Sequence, residues 1–499
     1  MLNEAVKLGV STCFMNPGTT EMPFVSALRF ERGLRGVLVL QEGVATGAAD
    51  GYFRMSGVPA LTLLHLGPGL ANALAYAHDA RRAGSGMINI VGEHASWHLA
   101  NDPPLAMDID ALAGTVSHAV MRVTSPAGAR VAMAEAVGLA RGGRIATLIV
   151  SHDVQLAEEE GASSEAPARQ CPLPAVLPQH TGQRPLLLLG GKALRAATLA
   201  SAERLAATGW TVLVETFPAR MDRGGGVFSP SRLAYFPEQA VAQLAGHDEV
   251  HLVDTREPVA FFGYDGTPGR LLPASATICH VIGDEAQLAT YVEALTGAAE
   301  APARHAPAAI ERSGETALDA LSFARAIAAA VPADAIVMDE GNTTSAHLYE
   351  HTSGSPSHAY LTQPGGAIGL GLPAATGAAL ACPDRPVLAI QADGSGLYTL
   401  QALWTQARER LNVTTVLCDN GAYRILGIEL ARAGRSPADL DETEAAMITL
   451  DNPRIDWGAL ARGFGIDHVV VETPAALEAA VRDGMATPGP LVIVAAIAG

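Results

Sequence analysis

Lysine is nearly absent from this chain. Lys7 and Lys192 are the only two in 499 residues. With Lys+Arg at 33 against Asp+Glu at 51, the formal net charge is −18. No basic run stands anywhere, which removes the electrostatic footprint that nucleic acid or an anionic membrane surface requires. Cysteine is scarce as well. Cys13, Cys171, Cys279, Cys382 and Cys418 are scattered, odd in number and without a CxxC pair, which argues against a disulfide framework or a thiolate zinc site. Long apolar runs are missing: PLLLLGG and PLVIVAAIAG fall far short of a bilayer-spanning length. MLNEAVKLGV has no basic stretch ahead of a long apolar one, so no secretory signal is expected. What is plentiful is apolar residues, 49% against 17% charged, which excludes disorder. The length suits about three domains. The expectation is a soluble, cytoplasmic α/β enzyme.

Short β-rich runs alternate with Ala-rich helical patterns. RGVLVLQ (35–41), PALTLLH (59–65), MINIVG (87–92) and IATLIV (145–150) read as buried strands, with EGVATGAADGYFRM and ANALAYAHDARR as helices between them. Continuous apolar strands separated by helices imply parallel sheets covered on both faces. The middle third repeats the pattern in PLLLLGGKAL, WTVLVET, EVHLVDT and ATICHVIG, and the last third in AIVMDEG, PVLAIQ, VTTVLCDN and PLVIVAAI. Two stretches rich in Ala, Pro, Ser and Glu without a clear period read as linkers. The expected order is therefore a first domain (1–156), a linker (157–183), a central domain (184–296), a linker (297–314) and a last domain (315–499), each a doubly wound parallel sheet.

The sharpest chemical signal is QADGSGLYTLQALWTQARERLNVTTVLCDNGAYRIL (391–426). One strand runs into Asp393-Gly394-Ser395, and the next ends at Asp419-Asn420-Gly421. Both polar clusters then lie at carboxyl ends of parallel strands, where open α/β sheets bind ligands. A carboxylate, an amide oxygen and a nearby carbonyl form a hard oxygen set suited to Mg²⁺ shared with a diphosphate. Two ordinary turns capped by Asp and Asn would look the same.

This stretch resembles the thiamine diphosphate (ThDP) binding motif, Gly-Asp-Gly followed after a similar spacer by Asn-Asn. It departs from that motif at Ala392 and Asp419. The resemblance implies Mg²⁺ held by the side chains of Asp393 and Asn420 and the carbonyl of Ala422, with Gly394 and Ser395 near the diphosphate. MNPGTTEMPF (15–24) and LQEGVATGAADGYFR (40–54) resemble the opening signatures of acetolactate synthase and benzoylformate decarboxylase. In that family the glutamate matching Glu42 hydrogen-bonds N1′ of the cofactor's aminopyrimidine, which favours the tautomer that removes the C2 proton. QPGGAIGLGLPAATGAAL (363–380) resembles the segment whose side chain, here Ile368, holds the cofactor bent, with a carbonyl near Gly366 accepting from the 4′-amine. DEGNTTS (339–345) stands at the first diphosphate loop, so Asn342 and Thr343 are candidate phosphate donors. The resemblance covers 10–150 and 315–499 well and the central domain only in size and pattern. It implies sites shared between two protomers of a homodimer or homotetramer. Some relatives carry FAD or a nucleotide centrally; LGGKALR (189–195) is too short a glycine pattern to indicate either.

The substrate side is read from fewer residues. His65 ends a strand at the place of a catalytic histidine in benzoylformate decarboxylase, a group suited to proton transfer; a strand-end histidine bonded to backbone is the alternative. GPGLAN (67–72) instead resembles acetolactate synthases. Thr19 stands where the decarboxylase has a substrate-contacting serine. GEHASWH (92–98) departs from the family, and Glu93, His94 and His98 read as an active-site rim. The expected activity is a ThDP- and Mg²⁺-dependent decarboxylation or carboligation of a 2-oxo acid. An oxidase, a 2-hydroxyacyl lyase and a non-catalytic paralogue are the alternatives.

Overall fold

The computed structural model describes residues 1–157, 182–263, 266–297, 310, 312, 314 and 316–498. Most of the two expected linkers, and Cys171, lie outside these residues. Three sheets carry the molecule. The first contains β1 (Thr12–Met15), β2 (Arg35–Leu38), β3 (Ala60–Leu64), β4 (Met87–Glu93), β5 (Ala119–Val123) and β6 (Ile145–Ser151), in the order β2-β1-β3-β4-β6-β5. The second contains β7 (Pro185–Leu189), β8 (Thr211–Val214), β10 (Ser231–Arg232), β11 (Glu249–Val253) and β12 (Thr277–Val281), in the order β10-β8-β7-β11-β12. All of these pairings are parallel. The third runs β17 (Asp467–Val471), β18 (Leu491–Ala496), β16 (Val413–Asp419), β15 (Val387–Ala392), β13 (Ala335–Glu340), β14 (His358–Leu361), β9 (Met221–Arg223). The fold is thus the expected set of three parallel-sheet α/β units. One refinement is that β9, chain from the middle third, joins the edge of the last sheet antiparallel to β14.

Strand burial explains the sequence pattern. Every residue of β3, β4, β7, β15 and β16 is buried, as expected for sheets covered on both faces. Helix ends are fixed by local chemistry. The side chain of Gln41 accepts from the Val44 amide at the start of the helix Glu42–Ser56, and Gly57 in the left-handed conformation (φ +70°) ends it, a common helix stop.

The first and last thirds meet through the helices Glu42–Ser56 and Gly371–Ala381. They touch backbone to backbone: a Cβ on Gly51 would lie 2.0 Å from the Ala374 carbonyl oxygen, and one on Gly377 would lie 1.8 Å from that of Ala48. Arg54 joins all three regions. Its guanidinium pairs with Asp50 and donates to the carbonyls of Thr362 (2.6 Å) and Ala219 (3.3 Å). Asp79 is fully buried beside this pair and packs on Gly365. Burial, and then the neighbouring Asp50, push its carboxyl up to about 8.

Candidate active site

Four adjacent strands of the first sheet end at one polar cluster. Glu42 begins the helix after β2 and is buried. Asn16, just past β1, donates to its Oε1 at 3.1 Å, and Asn72, on the helix Leu66–Ala83, donates to its Oε2 at 3.1 Å. Two amides therefore aim this carboxyl group. A Cβ on Gly69 would lie 3.1 Å from Glu42 Oε1 and 3.4 Å from the His65 Cβ, so Glu42 and His65 border the same corner.

His65 follows β3 at the N-cap position of the next helix, with its side chain free of any capping bond and turned to other partners. Its Nδ1 lies 2.7 Å from Oε2 of Glu21, a fully buried carboxyl that also accepts from the Gly18 amide (2.9 Å) and the Thr20 hydroxyl (2.6 Å). The pair sits directly over β4, because a Cβ on Gly92 would lie only 1.7 Å from Glu21 Oε1. The next residue, Leu66, is held at φ +52°, a strained conformation for a bulky side chain. The geometry sets the tautomer: Nδ1–H donates to Glu21, leaving Nε2 of His65 as the exchangeable position. Glu21 lies within MNPGTTEMPF, three residues after Gly18, whose amide it takes as the N3 residue of a capping box does; that spacing is its signal in the sequence.

The other substrate-side candidates have different partners. Thr19 is exposed in the same turn, whereas Thr20 is the residue whose hydroxyl faces His65, at 3.4 Å. Glu93, at the end of β4, is buried, accepts from the His94 amide at 2.9 Å and lies 3.8 Å from Arg122. His94 is half-buried, and its ring lies 6.0 Å from that of His98. Among the described residues no group of three or more His, Cys, Asp or Glu is arranged to hold a metal.

A second polar cluster lies where β13, β15 and β16 end side by side, with Glu340 opposite Gln391 and Ala392 opposite Cys418. Asp393 is buried. Its Oδ1 accepts from the Gly394 amide (2.7 Å), and its Oδ2 accepts from the amides of Asn420 (3.1 Å) and Gly421 (2.8 Å). The Asn420 Oδ1 accepts from the Ala422 amide at 2.9 Å. Burial raises the Asp393 carboxyl, against the pull of those three amides. A buried carboxylate at the end of β15, with an amide oxygen and a backbone carbonyl just past the neighbouring β16, is the kind of hard oxygen set that fits a divalent cation. The departure at Asp419 is neutralised from outside: Arg454 donates to its Oδ2 at 2.8 Å.

Ser395 is buried, with its hydroxyl accepting from Gln391 Nε2 at 2.5 Å. Asn342 is exposed at φ +51° and Thr343 half-buried, both just past β13. Gly366 is exposed and Ile368 half-buried on the segment before the helix Gly371–Ala381. Tyr76, one turn beyond Asn72, donates to the Ile368 carbonyl at 3.1 Å.

A roomy cavity lies elsewhere. It has about 800 Å³ and lies between the first two sheets and Pro364-Gly365, reached by Arg82, Lys192, Arg220, Glu215 and Arg256. At its edge, after β7, each backbone amide of the turn is taken. Gly191 donates to Glu215 (2.9 Å), Lys192 to Asp254 (2.6 Å), Ala193 to the Gly190 carbonyl and Leu194 to that of Gly191. A dinucleotide diphosphate finds no free amide on that turn, so the residues there do not fit FAD bound in that manner.

Two family models match the chain: the thiamine pyrophosphate enzyme N-terminal TPP binding domain over residues 1–118, and the C-terminal TPP binding domain over residues 339–495. Across 99% of its length the chain is 44% identical to a Mycobacterium tuberculosis (strain ATCC 25618 / H37Rv) protein that bears the provisional name acetolactate synthase large subunit IlvX, 97% of which is covered. Across 97% of its length it is 29% identical to the benzoylformate decarboxylase of Pseudomonas aeruginosa, 96% of which is covered. Solved structures share the fold. One is the 4-hydroxybenzoylformate decarboxylase of Rhodococcus jostii RHA1, with TM-score 0.80, 24% identity and coverage of 99% of this chain and 98% of that one. Another is the benzoylformate decarboxylase of Polynucleobacter necessarius, with TM-score 0.82, 21% identity and coverage of 99% and 97%.

Proposed function

The chain belongs to the thiamine diphosphate-dependent enzymes, and from that premise we propose that it decarboxylates a 2-oxo acid, with Mg²⁺ as the second cofactor. The observation that carries this reading is the Glu21–His65 pair, which places an oriented imidazole at the same corner as Glu42. Bound ThDP would supply a carbon nucleophile and an electron sink for loss of CO₂. The chain's own part is to hold and to move protons. Glu42, aimed by Asn16 and Asn72, would present its carboxyl to the aminopyrimidine N1′. Asp393, Asn420 and the Ala422 carbonyl would hold Mg²⁺. Asn342, Thr343, Gly394 and Ser395 would border the diphosphate, and Gly366 and Ile368 the bridge between the two rings. His65 would deliver a proton from Nε2 to the substrate-derived carbon, with Thr19, Glu93 and His94 toward the rim.

Carboligation is the second reading, favoured by the 44% identity to the provisionally named acetolactate synthase subunit. In it the same carbon adds to a carbonyl acceptor in place of a proton. Among the described residues the hydrogen-bond donors to the Glu42 carboxyl are Asn16 and Asn72, and those to the Asp393 carboxyl are the amides of Gly394, Asn420 and Gly421. We take each working site to combine Glu42 of one protomer with Asp393 of its partner in a homodimer or homotetramer. A panel of 2-oxo acids, followed by CO₂ release and product mass spectrometry, tests the assignment. Aldehyde as the main product supports decarboxylation, a 2-hydroxy ketone supports carboligation, and no turnover with any acid at saturating ThDP and Mg²⁺ overturns both.

A further inference from the structure

The segment 362–371, which carries Gly366 and Ile368, is gripped from three sides. Arg54 holds the Thr362 carbonyl, and the Thr362 hydroxyl donates to the Pro218 carbonyl at 2.9 Å. Nearer the centre, the Tyr76 hydroxyl donates to the Ile368 carbonyl and the Thr399 hydroxyl to that of Gly369 at 2.5 Å. The last grip is a carboxyl group. Glu340, at the end of β13 and 2% exposed, accepts from the Gly369 amide at 2.5 Å with Oε1 and from the Gly371 amide with Oε2.

Each oxygen of Glu340 takes one amide, and the first of them, Gly369, immediately follows Ile368. The glycines make this approach feasible. Gly369 has φ +99°, and a Cβ there would meet the Tyr76 hydroxyl at 2.5 Å; one on Gly371 would meet Gln391 Oε1 at 2.3 Å. Burying an ionisable group is costly unless its hydrogen bonds are made. Burial here holds the Glu340 carboxyl up to about 7 despite its two amide partners. A buried acid and a tyrosine from the first third of the chain thus hold the two polar atoms of the Ile368–Gly369 peptide, the carbonyl by Tyr76 and the amide by Glu340.

We propose that Glu340 and Tyr76 are positioning residues, two jaws that lock the backbone on either side of the Ile368–Gly369 peptide and thereby set where Ile368 and Gly366 meet a bound cofactor. The proposal rests on the ThDP reading, and neither residue touches the metal set. Glu340→Gln keeps the shape but offers one acceptor and one donor, so one glycine amide loses its partner. Tyr76→Phe removes only the hydroxyl.

Hydrogen–deuterium exchange of the cofactor-free protein comes first. The peptide spanning 363–372 should exchange about 10–100-fold faster in Glu340→Gln, the scale of one lost hydrogen bond to a charged group, and severalfold faster in Tyr76→Phe. With ThDP and Mg²⁺ at saturation, cofactor C2–H/D exchange followed by NMR should slow about tenfold or more in Glu340→Gln. The affinity for ThDP·Mg²⁺ by calorimetry should stay within a few-fold of wild type, which separates positioning from loss of binding. If Glu340→Gln does not fold, Tyr76→Phe decides alone. Wild-type behaviour of the folded variants in both measurements overturns the clamp. A wild-type protein that neither binds ThDP·Mg²⁺ nor promotes C2–H exchange overturns the cofactor reading instead, and peptide exchange in the cofactor-free variants still judges the clamp.

Discussion

The cluster around Glu42 and the cluster around Asp393 are assembled in opposite ways. Around Glu42 the contacts run side chain to side chain between separate elements, Asn16 and Asn72 to Glu42 and Glu21 to the neighbouring His65. At Asp393 they are carboxylate to backbone, within a single β-α-β unit. The first arrangement exists only when four strands of a sheet are in register. The second forms wherever two neighbouring strands pair. The Glu42 cluster should therefore tolerate substitution structurally yet lose function one side chain at a time, whereas the Asp393 turn should fail as a unit.

The largest effect is expected at the turn. Asp393→Ala removes the carboxylate proposed to hold Mg²⁺ and strands the amides of Asn420 and Gly421. ThDP with Mg²⁺ should no longer raise the melting temperature, since a ligand stabilises only the state that binds it. A retained shift breaks the metal assignment. On the other side of the comparison, His65→Ala should lower aldehyde release by about 10²–10⁴, the range of positioned proton transfer, with carboligation lowered less. Equal losses in both products would remove His65 from proton delivery. Glu42→Gln should bind the cofactor yet slow C2–H/D exchange by about 10², as NMR of the bound cofactor would record.

Mixing the two lesions asks whether the clusters meet across protomers. If a Glu42→Ala chain and an Asp393→Ala chain are co-expressed with different tags, random pairing makes about half the dimers mixed, each with one intact site. About a quarter of wild-type activity should then return for a twofold assembly. An inactive but properly assembled mixed dimer would place each site within one chain.

The smallest effect on chemistry is expected at the junction that both clusters share. With its folded value at about 8 against about 3.9 for a free aspartate, Asp79 keeps a proton that the unfolded chain has lost. Its contribution is fully present below about pH 4 and is lost as pH rises through about 8. Asp50, Arg54 and Glu340 are the charged groups that act on it. Asp79→Asn cannot ionise, so its melting temperature should match wild type near pH 4 and exceed it by a few degrees at pH 9. A constant difference across that range would rule out titration of Asp79.

Legibility in the sequence follows the same division. The strands expected at 35–41, 59–65, 87–92 and 145–150 fold at 35–38, 60–64, 87–93 and 145–151, because fully buried parallel strands are uninterrupted apolar runs. The edge strands β5 and β17 escape that reading, since four of the five positions in each are exposed or half-buried. β9 escapes because Met-Asp-Arg carries no run at all and pairs with chain more than a hundred residues away. Asp393 and Asn420 were readable because their geometry is local. Glu21, Asn72, Tyr76 and Glu340 were not, because their partners lie on other elements and their significance is set by register. The cavity beside β7 belongs to no motif, being lined by residues of the first two sheets' loops and helices together with Pro364-Gly365.

The contact between Gly51 and Ala374, and between Gly377 and Ala48, has a further consequence. Elsewhere in a protein, side chains lie between backbones, and their rotamers take up small errors in spacing. Here no such cushion exists, so the separation of the first and last sheets is a gauge cut in peptide units. Loop exchanges or surface changes in either third leave that separation untouched, whereas one added methyl group at either glycine would change it for every residue along both helices.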